Sequence, residues 1–461
     1  MKRGFLNSSK AKQQNEQSTS LPVTKAKLVS KLSHGVVPNA GKGQIPKGYE
    51  SGFGTRKFFE LNATSLDYDP DLYVCTAVPL VTMDAKLSDV PGGWAECVLS
   101  GHVKRMIHTT PGFPRRPLSP ANGKKLYRIG EAGSKGLGMF ATRLIRAGEI
   151  IIDERPMMVA TASTNSIVSP DDMAKLSVEQ IRQIGLREWG KFMKVVFDRM
   201  PPENQKAFME LANSHTQDGS DDITGRIRTN GVVTGFRDRN SSGAQGRYTA
   251  ICKDISRINH SCRPNASWSW HTDSFSLRVC AVRDIRAGEE VTVAYCDALA
   301  PASERAEALV PYGIYDCNCG PSCSDPAGIR IGDKRRDRFR FEPVVVFAPH
   351  VPPKVGEAPD AWVKPALRRF RELEAEGLEG CNEYHRTAYQ LINVYCFLQD
   401  VEKVKKYASK IKGVHRVIEK KEFPASFSSA EGIERSQYYQ MSEMRKKAGI
   451  PEYEPILISF A

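Results

Sequence analysis

A seven-residue polar string, Asn259-His260-Ser261-Cys262-Arg263-Pro264-Asn265, leaves this chain few ways to fold. It lies between the isoleucines Ile255 and Ile258 and a strand-like run from Trp268 to Trp270. Polar side chains in apolar surroundings must find hydrogen-bond partners, so other segments have to be brought against this one to supply them. Taken singly, His260 reads as a satisfied core histidine and Cys262 as an inert buried thiol. Downstream, Cys317-Asn318-Cys319-Gly320-Pro321-Ser322-Cys323 places three soft ligands on a turn-forming stretch. Tetrahedral zinc takes four ligands, and Cys262 is available as the fourth; the alternative is free surface thiols.

The remaining composition narrows the class. At 461 residues the chain exceeds one ordinary core, and about three domains are expected. Apolar stretches such as Val344 to Ala348 fall far short of the ~20 residues that span a bilayer, so no membrane partner is expected. No apolar core of a signal peptide follows Met1-Lys2-Arg3, and eleven cysteines at irregular spacings read as intracellular thiols or metal ligands, nuclear or cytoplasmic. Of the net charge of +13, residues 1–50 carry more than half, with nine Lys and Arg against Glu16 and Glu50. That tail reads either as a solvated, disordered segment or as a nucleic-acid-binding arm.

Along the chain we expect a disordered basic tail over 1–50 and a lead-in over 51–124 that is short, β-rich or irregular. A β-rich segment follows over 125–300, interrupted by a helical insertion at about 165–215. Ser169-Pro170-Asp171-Asp172 reads as the insertion's first helix start, and a second helix is expected from about Pro202 to Ala212. The segment Ile145-Arg146-Ala147-Gly148-Glu149 recurs as Ile285-Arg286-Ala287-Gly288-Glu289, which suits a tight turn with glycine at positive φ. A cysteine segment over 301–325 precedes a helical region over 330–461. There the apolar faces Tyr384 to Tyr395 and Val401 to Ile411 predict two antiparallel helices around Gln399-Asp400, for which a tetratricopeptide-like pair is one reading.

Gly136-Leu137-Gly138 follows a strand-like run and would let a ligand approach the backbone closely. It lacks the third glycine of a dinucleotide site and the Lys-Ser/Thr of a phosphate loop, so both nucleotide readings fail. Glu289-Glu290-Val291-Thr292-Val293-Ala294-Tyr295 reads as a strand ending in a tyrosine.

In this order, Gly136 to Ala141, Asn259 to Asn265, Gly288 to Tyr295 and the cluster Cys317, Cys319, Cys323 resemble the SET-domain lysine methyltransferases. Thr229-Asn230, Glu304-Arg305 and Leu309 resemble the SET-and-MYND branch and its fungal relatives. The resemblance covers about 125–325. No cysteine occurs between Cys97 and Cys252, where the MYND zinc finger of that branch would sit, and the spacing Cys-x-Cys-x3-Cys is one residue longer than usual. The resemblance implies an α+β fold: a SET-domain β-fold with a threaded pseudoknot and helical insertion, then a post-SET segment and a C-terminal helical region. It implies S-adenosylmethionine as methyl donor, held at Gly136, Leu137, Gly138, Asn230, Asn259 and His260. Tyr295 is the implied catalytic residue, and Tyr315 the implied wall of the cofactor or lysine channel. Structural zinc falls to Cys262, Cys317, Cys319 and Cys323. The implied partner is a protein substrate with an exposed lysine, a histone among the candidates. A catalytically inactive SET scaffold and a nucleic-acid-binding protein using the tail are the alternatives.

Overall fold

The computed structural model describes residues 65–119 except 83, then 123–161, 174–239, 246–342, 360–419 and 421–449, with isolated positions 45, 47, 49, 171, 346–347 and 457–458. Nearly all of the basic tail, and the proposed helix start at Ser169-Pro170, therefore lie outside the described residues. No helix among the described residues is long and apolar enough to cross a membrane.

The architecture is α+β. Strands β1 (Tyr73–Val78), β2 (Ala95–Ser100), β3 (Tyr127–Glu131), β4 (Leu137–Ala141), β5 (Ile150–Glu154) and β6 (Met158–Thr161) come first. They are followed by β7 (Val232–Arg237), β8 (Arg247–Ile251), β9 (Asn259–His260), β10 (Ala266–His271), β11 (Ser276–Ala281) and β12 (Glu290–Val293). They form sheets of order β1-β2-β6-β8-β7, β10-β11-β5 and β3-β4-β12-β9. Because β2 pairs in parallel with β6, the lead-in belongs to the same sheet as the strands flanking the insertion. β9 also pairs in parallel with β12, Asn259 opposite Thr292 and His260 opposite Val293, although the whole β10–β11 hairpin lies between them in sequence. Such a parallel pairing requires a crossover connection between the two strands.

The repeated turn explains itself in three dimensions. Gly148 and Gly288 have φ of 88° and 80°, a region that penalises any Cβ. The carboxylates of Glu149 and Glu289 accept the amides of Arg146 and Arg286 at 2.7 and 3.1 Å, closing each turn in the same way. The two copies also pair with each other, through Ile145 N to Ile285 O and Ile285 N to Ile145 O, both 2.8 Å.

Helix α1 (Gly101–His108) follows β2. The insertion differs from expectation at its C-terminal end, and its first expected helix start lies outside the described residues. Its long helix, α2, spans Val178–Arg199 and starts at Ser177, whose side chain accepts the Gln180 amide while Gln180 returns the bond. Such a capping box contributes ~1 kcal/mol. The helix buries Trp189, Phe192, Met193 and Val196 against Val98, Met157, Met158 and Ile251. After α3 (Pro202–Met209) comes a helix beyond the expected limit of 215, α4 (Asp222–Asn230), capped by Asp221.

Past the strands lie α5 (Ala302–Leu309), α6 (Pro321–Ser324) and α7 (Pro326–Phe341). The C-terminal helices are α8 (Lys364–Glu376), α9 (Asn382–Phe397), α10 (Val401–Glu419), α11 (Ala430–Glu434) and α12 (Gln437–Lys447). The helical hairpin around Gln399-Asp400 is present as α9 and α10. The run Lys334 to Arg340 lies on α7, where Arg336 is fully buried and bonds Glu376 at 2.8 Å, while Arg338 bonds Glu372 at 2.9 Å. These arginines fasten α7 to α8.

The helical region also meets the first repeated turn. Arg416 donates to the Gly148 carbonyl at 2.8 Å, and a Cβ on Gly148 would lie 2.6 Å from Gly413 Cα. A methyl on Gly413 would likewise overlap the Gly148 main chain. Gly413→Ala is therefore expected to destabilise the protein by ~1–3 kcal/mol, because overpacking outweighs the ~1 kcal/mol that alanine gains inside a helix. The urea midpoint at constant slope measures it; a raised midpoint would refute this close approach.

Candidate active site and metal cluster

Every polar member of the Asn259–Asn265 string has found a partner. Asn259 Nδ2 donates to Leu137 O at 3.2 Å and to Glu290 Oε1 at 2.8 Å, which joins the Gly136–Gly138 loop to β12. Ser261 N donates to Val293 O at 2.9 Å. Arg263 reaches Ala375 O of α8 at 2.9 Å. Asn265 is 2% exposed; its Nδ2 donates to Glu290 O at 2.8 Å and its Oδ1 accepts from Thr292 N at 2.8 Å. On the approach to the string, Glu154 accepts the amides of Lys253, Asp254 and Ile255 at 2.8–3.2 Å. Burial of that carboxyl, together with Asp254, pushes its pKa up to about 7.

The glycine loop has the form of a cradle. Gly136 has positive φ and open space where a Cβ would point, and Leu137 beside it is exposed. Gly138 is glycine for another reason: a Cβ there would stand 3.0 Å from Asn259 Nδ2 and 2.8 Å from Glu290 Oε1. Lys135, next to the loop, forms an ion pair with Glu290. Open backbone beside a fixed asparagine suits a ligand held by main-chain groups.

On the other side of the string, a cavity of about 130 Å³ is lined by Asn230, Ile258, Trp268, Val279, Val293, Tyr295 and Tyr312 among others. The Tyr295 hydroxyl donates to Ile258 O at 2.5 Å. Burial of the phenol oxygen, with Tyr312 and Glu290 nearby, raises its pKa above the ordinary tyrosine value, so it stays protonated. Asn230 spends its Nδ2 hydrogens on Ala212 O and Arg226 O, at 2.7 and 2.8 Å, leaving its side-chain oxygen as the free acceptor.

Two aromatic rings pack against Tyr295: Tyr312 at 4.8 Å and His260 at 5.4 Å between centroids. Tyr315, the expected channel wall, lines a cavity of about 340 Å³ with Cys262, Arg305, Cys317 and Cys323. Nothing in Val310-Pro311-Tyr312-Gly313 signals this: Tyr312 lies outside any apolar periodicity and reaches the site only through the packing of α4 and α5. Glu290 was visible as part of the Gly288-Glu289-Glu290 match, but its bond to Asn259 was not.

Three of the four expected cysteines, Cys262, Cys317 and Cys319, lie together with His260. Cys262 Sγ lies 3.7 Å from Cys317 Sγ, and Cys317 Sγ 2.8 Å from Cys319 Sγ. No described cysteine is in a disulfide. Zn–S bonds of ~2.3 Å in a tetrahedron put neighbouring sulfurs ~3.8 Å apart, so the Cys262–Cys317 pair already has the separation zinc needs. The donor set fits zinc. One ring nitrogen of His260 also lies within 4.8 Å of Cys262, Cys317 and Cys319. Cys323 approaches Arg305, whose Nη2 lies 3.7 Å from its sulfur and 2.7 Å from Ser322 O. Arg305 is 2% exposed, and its nearest carboxylate, Asp333, is 3.9 Å away, so the sulfurs are the anionic groups at hand to balance its buried charge.

Residues 136–296 match the SET domain family. The histone-lysine N-methyltransferase set5 of Schizosaccharomyces pombe is 26% identical over 218 residues, 47% of this chain and 57% of that protein. The N-lysine methyltransferase SMYD2-B of Xenopus laevis is 29% identical over 175 residues, 35% of this chain and 40% of that protein. The histone-lysine N-methyltransferase SMYD3 of Homo sapiens is 43% identical over 65 residues, 14% of this chain and 15% of that protein. The first two matches span about half the length of the curated relatives. The Asn259–Asn265 string paired to β12 and the glycine cradle fall within the matched residues and the cysteine cluster follows them, so residues 136–296 form a SET domain that is similar in sequence to those of set5 and the SMYD proteins.

Proposed function

We propose that the chain transfers a methyl group from S-adenosylmethionine to a lysine side chain of a protein substrate, a histone being the first to try. The observation that carries this reading is the Tyr295 hydroxyl: it donates to Ile258 O inside a cavity walled by Trp268, Val279 and Val293, a short step along the string from the glycine cradle. The names of the set5 and SMYD relatives support the same reaction class.

S-adenosylmethionine would supply an electrophilic methyl group on a sulfonium, taken by the lysine amine in a single displacement. Gly136, Leu137 and Gly138 would hold the cofactor through their backbone, with Asn259 fixing the loop and Asn230 lining the neighbouring cavity. An exposed lysine with a pKa of ~10.4 is almost wholly protonated near pH 7 and cannot attack. The apolar walls favour its neutral form by desolvation. Because the Tyr295 hydrogen is committed to Ile258 O, its oxygen lone pairs accept an amine N–H and orient the nitrogen lone pair toward the methyl group. Cys262, Cys317, Cys319 and Cys323 hold zinc structurally, away from the reacting atoms.

Asn259→Ala removes the bridge between Leu137 O and Glu290 and leaves both groups short of a partner. It is expected to weaken S-adenosylmethionine binding roughly 5–150-fold, the equivalent of ~1–3 kcal/mol. Calorimetric titration measures it; an unchanged Kd would remove Asn259 from the cofactor site.

A further inference from the structure

His260 is 7% exposed and both of its ring nitrogens are engaged. Nδ1 lies 3.0 Å from the Tyr295 amide nitrogen. A backbone amide can only donate, so Nδ1 is the acceptor and carries no hydrogen. A neutral imidazole must then hold its hydrogen on Nε2. That nitrogen lies 3.3 Å from Cys262 Sγ, so the bond runs from Nε2–H to the sulfur. Although His260 clusters with Cys262, Cys317 and Cys319, the nitrogen it turns toward them is occupied by hydrogen and cannot ligate a metal while Nδ1 accepts from Tyr295. The fourth ligand place falls to Cys323.

We propose that His260 is a positioning residue rather than a ligand, tying the metal-bound sulfur of Cys262 to the main chain of Tyr295, so that filling the cysteine cluster fixes the active-site tyrosine. The proposal rests on the zinc and methyltransferase readings above. A metal-bound thiolate is a full acceptor, and a hydrogen bond to a charged acceptor is stronger than one to a neutral thiol. It locks the ring, and the ring locks the residue whose hydroxyl meets Ile258 O. The metal thereby reaches the active site without touching a reacting atom.

The test is nitrogen NMR of the full chain with cadmium-113 in place of zinc and labelled histidine, the His260 signals being assigned by their loss in His260→Asn. The expected result is a protonated Nε2, an unprotonated Nδ1 and no one-bond cadmium–nitrogen coupling. A cadmium coupling to His260, or a hydrogen on Nδ1, would overturn the proposal. Two variants separate the halves of the relay. His260→Asn keeps an acceptor near Nδ1 and loses the donor to sulfur; His260→Gln does the reverse. Both should retain about one zinc per chain, with kcat lowered roughly 10–100-fold. Wild-type kcat in either variant, or loss of zinc from both, contradicts the relay. Wild-type protein that holds no zinc contradicts the metal reading itself, a failure distinct from a cadmium–histidine bond.

Discussion

Tyr295→Phe is expected to lower methyl transfer by at least about a hundredfold while S-adenosylmethionine affinity stays within a few-fold. Phenylalanine keeps the ring packed against Tyr312 and His260 and removes only the hydroxyl that bonds Ile258 O. The loss then lies in orienting the amine, which registers in kcat more than in cofactor binding. Since the phenol pKa is raised by burial, Tyr295 remains protonated from pH 7 to 9. A rise in rate over that range in the wild type is therefore not the titration of Tyr295. Single-turnover transfer and cofactor titration on the same preparations measure the effect; equal rates would show that the hydroxyl has no part in the reaction.

The second large effect is expected from Cys319→Ser. Removing one sulfur from a four-sulfur site should leave less than about half a zinc per chain, since isolated structural zinc sites draw ~10–16 kcal/mol from metal binding. Most of the hydrophobic core is independent of the cluster: the strands and α2 pack around Val98, Met158 and Ile251, and the C-terminal helices around Phe370 and Leu391. The variant should therefore fold, melt several degrees lower, and show rapid amide exchange over 317–323. Transfer should be lost, because Cys262 is joined through His260 to Tyr295. Elemental analysis and hydrogen exchange check this; full zinc content in Cys319→Ser would remove that residue from the ligand set.

What could be read from the sequence was what carries a local signature. The Asn259–Asn265 string required partners because it was polar within an apolar stretch, and the paired turns required glycine at positions 148 and 288. Which groups would answer the string was not readable. Glu290, Val293 and Thr292 meet it through a parallel pairing across the β10–β11 hairpin, and such non-local register leaves no periodicity behind. Arg336 is a similar case: in sequence it belongs to a basic run, and only the fold brings Glu376 to it. The lead-in strands were ambiguous because β2, wholly buried, shows no alternation, and its neighbour β6 lies far along the chain. Helix α4 was missed although Asp221 caps it by bonding the amides of Ile223 and Thr224; the match at Thr229-Asn230 drew attention to its last turn alone.

The central claim is lysine methylation, and transfer of a labelled methyl group tests it most directly. The purified 461-residue chain is incubated with methyl-labelled S-adenosylmethionine and either core histones or whole-cell extract, with Tyr295→Phe alongside, and labelled residues are identified by hydrolysis. The account predicts labelled methyl-lysine in a discrete protein band with the wild type, and little or none with Tyr295→Phe. Tight binding of the cofactor with no labelled lysine in either substrate, or equal labelling by both proteins, would contradict it.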